Sequence, residues 1–450
     1  MEPADALFCT PAMSDVFSAK AHVRQLLAFE SALTRAEARA GVVPAAAAEK
    51  IAMACRVDLY DVAALYREAA LAGTPAIPLV RMLTDQVGAE AGAFVHLGAT
   101  SQDALDTALV LQMRQGLDLL IDGLLAVGTA SAQLAERHRQ TPMPGRTLLQ
   151  QALPITFGLK AARWLDTVTR QSLRLRHARD QVLAVQFGGA AGTLAALGPA
   201  GPKVAEMLGE ELGLPVPALP WHAERDRVAE VATALGIVAG TMAKIATDLV
   251  LLGQTEVSEV REAPLPGKGG SSAMPQKRNP VDSTMSLASA RLAIGLVPVI
   301  LNAMAHEYER AAGAWQAEWQ AVPHLFGYVA GAVDKIRIAL EELEADSKRM
   351  RANLDASGGL IMAESLTMAL ARRLGRPEAF RVVREAVDRA VDSGVGLREA
   401  ALAHDDVRAA LSPDAIEQAF DPMRYLGSAD VFIDRALGGY RDLVAFLGRT

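Results

Sequence analysis

Apolar residues recur at alternating steps of three and four along much of this chain, the spacing of a helix that buries one stripe. From Arg225 to about Val260 the stripe is Val228, Val231, Leu235, Val238, Met242, Ile245, Leu249 and Leu252. At ~1.5 Å per residue it predicts one helix of about 35 residues, roughly 50 Å long. A second stripe follows Asp103 through Leu109, Met113, Leu117, Leu120, Leu124, Val127 and Leu134. A third begins near Pro280 and runs through Leu287, Ile294, Val297 and Leu301, with a kink expected at Pro298. These stripes read as core. Long helices rich in Ala and poor in aromatics pack closely, and helices of this length commonly find partners in other subunits.

Outside the long stripes the pattern shortens. Up to Phe94, helical segments are broken by Pro44 and by GTPAIP, Gly73 to Pro78, which predicts a small N-terminal helical domain over residues 1–94. The long helices occupy a central domain, residues 95–344. The charged run EELEADSKRMR, Glu341 to Arg351, and a turn over Asp355 to Gly359 then introduce a C-terminal helical domain, residues 345–450. With no internal repeat, no low-complexity tract and no strong alternation of period two, the fold class is all-α: three helical domains around a long central helix bundle.

Composition narrows the function classes. The chain has 450 residues, 51% hydrophobic and 22% charged, enough to bury large cores. A formal net charge of -7 with no basic face argues against nucleic acid as a partner, so an anionic substrate must be held by local cations. Cys9 and Cys55 form neither a metal pattern nor a disulfide framework, which fits a reducing cytoplasm. The opening MEPADALFC lacks a secretory signal, and no uninterrupted apolar run reaches the ~18 residues of a membrane span.

Candidate chemistry concentrates in GSSAMPQKRNP, Gly270 to Pro280, preceded by the glycine-rich PLPGKGG. The glycines free the backbone, and Pro275 and Pro280 stiffen the far side. Such a loop suits a small anion: Ser271 or Ser272 offers a hydroxyl, Lys277 a point charge, Asn279 an amide donor and the loop N–H groups a nest. An ordinary exposed loop is the competing reading. A phosphate-binding P-loop fits poorly, because Lys268 is followed by glycine where that motif needs Ser or Thr. In HLGATSQDALDTA, His96 to Ala108, Thr100, Ser101 and Asp103 are suited to cap the following helix, and the same geometry binds carboxylates.

These strings resemble the fumarase/aspartase superfamily, whose members add or eliminate groups beta to a carboxylate. The resemblance makes Ser271 the carbon-acid base, places Lys277 and Asn279 on a substrate carboxylate, and puts Thr100 and Ser101 in contact with substrate. In GRTLLQQALPITFG, Gly145 to Gly158, superfamily members that expel an amine carry a histidine where this chain has Leu148. Leucine cannot transfer a proton, so the leaving group must depart unaided. A carboxylate does so, with a reference pKa near 4, and a carboxylate leaving beta to another carboxylate describes opening of a lactone. The chain is similar over nearly its whole length to the lactonising cycloisomerases of this superfamily. The similarity is carried by QFGGAAGTLAALG (Gln186 to Gly198), LPWHAERDRVAE (Leu219 to Glu230) and AGAWQAEWQAVP (Ala312 to Pro323).

Without the family, GGAAG reads as a close-packed turn, WHAERD as a helix start, and Trp315 and Trp319 as packing residues. The resemblance instead puts His222, Arg225 and Trp315 near substrate. It implies a homotetramer with active sites shared between subunits, a small tricarboxylate substrate, and no metal or redox cofactor. Arg146, Thr147, Gln151, Ser272, Met274, Arg278 and Arg310 complete the implied binding set. One departure is Met13-Ser14, where relatives often carry an arginine after the methionine. An adenylosuccinate-type C–N lyase and a catalytically silent binding or structural protein on the same bundle are the alternatives. The missing histidine argues against the first, and the intact loop against the second.

Overall fold

The computed structural model describes residues 5–265 and 267–448; Pro266, in the glycine-rich lead-in, lies outside the described residues. The fold is all-α, as the periodicity predicts. The three stripes correspond to the helices Ser101–Arg137, Asp226–Leu252 and Val281–Asn302. Phe157–Val182 and Ala314–Glu341 add two more of similar length. The helix Asp226–Leu252 is shorter than the expected span because it stops at Gly253. The third stays helical through Pro298. Shorter helices are punctuated where the sequence says: one starts after Pro44, another ends on left-handed Gly73, and residues 356–359 form a turn.

Three of these helices, Ser101–Arg137, Asp226–Leu252 and Val281–Asn302, are long and apolar enough by length and composition to cross a membrane. Each is interrupted by polar or charged residues, among them Arg114, Lys244 and Arg291. In the first two, 50% of the apolar window is buried inside the chain, so the apolar residues already serve as core.

Among the described residues, four short strands depart from the expectation of helix alone. Pro142–Thr147 pairs antiparallel with Gln150–Thr156, and Val260–Glu262 with Leu343–Ala345. Two-stranded pairs this short depend on the surrounding helices for stability, which is why they leave little periodic signal.

By compactness the chain divides into two units, each built from distant segments. The first comprises residues 1–124, 171–243 and 285–335; the second comprises 125–170, 244–284 and 336–450.

In the first unit the helix Ala19–Arg39 buries Glu30, Thr34 and Glu37 along with its apolar stripe. His96 Nδ1 lies 2.6 Å from Glu30 Oε1, but neither oxygen of Glu37 has a hydrogen-bond partner among the described residues. Burial, reinforced by the nearby Glu30, pushes the Glu37 carboxyl up to about 9. The folded state therefore holds a proton that the unfolded state releases near the ordinary carboxyl pKa. Stability from this group is complete below that value and is lost as pH rises toward about 9. Glu37→Gln is expected to raise the thermal midpoint, with a gain that grows from pH 6 to pH 9; a pH-independent change in melting curves would refute it.

Candidate active site

In the first unit Thr100 is the N-cap position of Ser101–Arg137, and Asp103 Oδ2 accepts the Thr100 N–H at 3.0 Å, half of a capping box. Asp103 does more than cap. Its Oδ1 also accepts from Gly188 N–H at 3.0 Å and lies 2.7 Å from His222 Nε2, while its Oδ2 takes Gly189 N–H at 2.9 Å. The GGAAG segment is thus a close-packed turn, with Gly189 at φ +68° and Gly192 at φ +81°. A Cβ on Gly188 would sit 2.9 Å from His222 Cε1. Arg310, exposed, donates to Thr100 Oγ1 at 3.1 Å, to Gln102 Oε1 at 3.0 Å and to the Ala190 carbonyl at 3.1 Å. Thr100, Ser101, His222 and Arg310 are therefore gathered at one helix start, where peptide dipoles favour negative charge.

Arg225 and Trp315 differ from the expectation of substrate contact. Arg225 is 0% exposed through its side chain, with Asp106 Oδ2 at 2.8 Å from Nη1 and Glu318 Oε2 at 2.5 Å from Nη2. Trp315 Nε1 donates to Asp106 Oδ1 at 2.9 Å. Burial opposes the Arg225 charge, but the two carboxylates outweigh it and hold its pKa above the usual range. Glu318 moves upward, chiefly because it is buried. The guanidinium is a buried counter-ion shared by two carboxylates, and both residues support the helix start from beneath. His222 is 4% exposed and is oriented by Asp103. His96 is held by Glu30.

The second unit carries the other two segments. GRTLLQQALPITFG is a hairpin with Leu148 and Leu149 as its two-residue turn, at φ +51° and φ +64°. A turn with positive φ at both central residues suits Asn-Gly and penalises leucine. Leu148 is also 96% exposed. Strain of this kind gathers at functional segments. The register shifts at Gly145, where a Cβ would meet the Leu153 carbonyl at 2.7 Å. Arg146, expected on substrate, makes a two-pronged pair with buried Glu259 at 2.9 and 2.7 Å, and Gln151 donates to the Asn353 carbonyl at 3.1 Å. Arg146 thereby anchors the hairpin and Thr147 stands exposed near its tip. Replacing Leu148-Leu149 by Asn-Gly is expected to stabilise the protein by about 1–2 kcal/mol while lowering turnover; unfolding in urea beside an activity assay checks both.

The glycine-rich loop is closed at its neck. Asn279 N–H donates to the Gly269 carbonyl at 2.8 Å and its side-chain amide to the Gly270 carbonyl at 3.3 Å. Gly269, at φ +71°, admits no Cβ, which would lie 2.7 Å from the Asn279 carbonyl. Beyond the neck, Ser271 Oγ accepts N–H bonds from Ala273 at 3.3 Å and Met274 at 3.0 Å. Two amide donors on one hydroxyl oxygen favour its anion. Ser272, Met274, Lys277 and Arg278 are exposed around it.

Sequence reasoning missed several residues that build these sites. Asp106, Gln186 and Glu318 lie inside the motif strings without being singled out, and buried Glu259 and half-buried Glu262 lie in none of them.

A lyase family profile matches residues 7–295, and an adenylosuccinate lyase C-terminus profile matches residues 359–436. The chain is 48% identical over 442 residues to 3-carboxy-cis,cis-muconate cycloisomerase of Pseudomonas aeruginosa, covering 98% of this chain and 96% of that protein. It is 47% identical to the enzyme of the same name from Bradyrhizobium diazoefficiens, covering 96% of each. The crystal structure of the 3-carboxy-cis,cis-muconate lactonizing enzyme from Pseudomonas putida matches with a TM-score of 0.94 at 44% identity, covering 99% of this chain and 100% of that one. The chain therefore belongs to the lyase family, in the branch formed by the 3-carboxy-cis,cis-muconate cycloisomerases.

Proposed function

We propose that the protein converts 3-carboxy-cis,cis-muconate to 4-carboxymuconolactone, a step in protocatechuate catabolism, with Ser271 as the proton-transferring group. The observation that carries the reading is the Ser271 hydroxyl oxygen held by two backbone N–H groups in a loop lined with Lys277, Arg278 and Asn279.

One substrate carboxylate oxygen attacks the alkene carbon beta to another carboxylate and forms the ring C–O bond. The alkene electron pair moves onto the far carboxylate as an aci-anion. Lys277, Asn279 and loop N–H groups stabilise that charge more in the transition state than in the substrate. Ser271 then gives its proton to the alpha carbon and is left as an alkoxide, which the two N–H donors steady until it is reprotonated. Thr100, Ser101, Thr147 and Gln151 orient the remaining oxygens, and Arg278 and Arg310 balance a trianionic substrate. Leu148 fits because the carboxylate that leaves in the reverse direction needs no proton. The same reading places the chain in a cytoplasmic homotetramer whose active sites draw on more than one subunit.

The test is the ultraviolet absorbance of the purified protein mixed with 3-carboxy-cis,cis-muconate, whose conjugated diene disappears on lactonisation. Rapid decay without added nucleotide or metal is expected. A folded tetramer that leaves the absorbance unchanged would overturn the assignment.

A further inference from the structure

Lys268 lies in the glycine-rich lead-in, three residues before Ser271, and neither the motif nor the reaction assigns it a task. Its Nζ is 2.6 Å from Asp282 Oδ2 and 2.8 Å from Glu342 Oε2. Asp282 opens the helix Val281–Asn302, immediately past the loop, and Glu342 follows the helix Ala314–Glu341 and precedes the strand Leu343–Ala345. That strand pairs with Val260–Glu262, the strand from which the loop departs. Glu262 in turn receives N–H bonds from Asp282 at 3.1 Å and Ser283 at 2.8 Å and the Ser283 hydroxyl at 2.8 Å, capping the helix on which the loop lands. Both feet of the loop therefore stand on one platform, and Lys268 ties the outgoing strand to the helix start across the neck.

We infer that Lys268 is a positioning residue: its paired ammonium closes the neck, setting the Gly269–Asn279 hydrogen bond and with it the placement of Ser271 and the Asn279 amide. It works through those groups and does not touch the reacting atoms. The half-buried contacts make the pairing worth more than a surface ion pair, because solvent screens it less. The link to turnover rests on the cycloisomerase reading, whereas the closure of the neck does not.

The experiment compares wild type, Lys268→Ala, Lys268→Arg and Asp282→Asn in the full-length protein by amide hydrogen exchange across residues 267–280 and by kcat and KM for 3-carboxy-cis,cis-muconate. Lys268→Ala is expected to speed exchange at the Asn279 amide by about tenfold or more as the neck opens locally. Its kcat should fall by about 10–100-fold with KM little changed, since the proton-transferring and charged groups remain but are misplaced. Lys268→Arg should retain most of both properties, and Asp282→Asn should reproduce the loss in a side chain of equal size. Unchanged exchange in Lys268→Ala and Asp282→Asn would overturn the latch, as would faster exchange with undiminished kcat. If wild type leaves the substrate unchanged, the cycloisomerase reading fails, and the exchange data alone still decide whether Lys268 closes the neck.

Discussion

Ser271→Ala is expected to reduce turnover of 3-carboxy-cis,cis-muconate by about 10²–10⁴-fold, the span that a positioned acid or base supplies. Ser271 is only half-buried, and its oxygen is the acceptor for the Ala273 and Met274 N–H groups. Deletion leaves these two donors facing solvent or substrate without opening a cavity in the core. The thermal midpoint should therefore stay close to wild type, and substrate should still bind through Lys277 and Asn279. That combination separates a chemical role from a structural one. Ser271→Cys is a second probe: a thiol keeps an exchangeable proton at a lower pKa, so residual activity should shift to lower pH. Full turnover in Ser271→Ala would remove the proton assignment, and the loop would then be a binding element alone.

The largest expected loss of stability follows Arg225→Met, at about 3–5 kcal/mol, because it strands Asp106 and Glu318 without their counter-charge. Both carboxylates are buried, and the guanidinium binds each through two of its nitrogens. His306 is a poor substitute: it lies 3.9 Å from Glu318, and burial, which persists in the variant, lowers its pKa. The double variant Arg225→Met, Glu318→Met should recover part of the loss, since replacing both sides of a buried pair is milder than removing one. Arg381, whose partners Glu378 and Glu385 are half-exposed, provides the contrast: Arg381→Ala should leave the urea midpoint unchanged. An Arg225→Met protein as stable as wild type would show that Asp106 and Glu318 are protonated or hydrated in the fold.

The long helices were legible because burial of one stripe imposes a period of three and four, and that period survives in Val228 to Leu252 and Leu109 to Leu134 without knowledge of what they pack against. The hairpin at Pro142–Thr156 was not. Its strands are short, its turn is made of two leucines, and no alternation of period two marks it. Its shape follows from tertiary support: Arg146 on buried Glu259, Gln151 on the Asn353 carbonyl, and a bulge at Gly145. The exposure of Leu148 and its left-handed backbone likewise could not be read from a leucine in a row of apolar residues.

By itself the sequence determined the helical class, the chemically loaded loop from Gly270 to Pro280, and the absence of a proton carrier at Leu148, because periodicity and side-chain chemistry are local properties of the chain. Only the tertiary structure decided which polar residues hold the scaffold. Arg225 and Arg146 carry the same guanidinium as Arg310, yet Arg225 ends on buried Asp106 and Glu318, 119 and 93 positions away in sequence, and Arg146 on buried Glu259, 113 positions away. A buried charge must find its counter-charge wherever the fold brings one, and that distance in sequence carries no pattern to read.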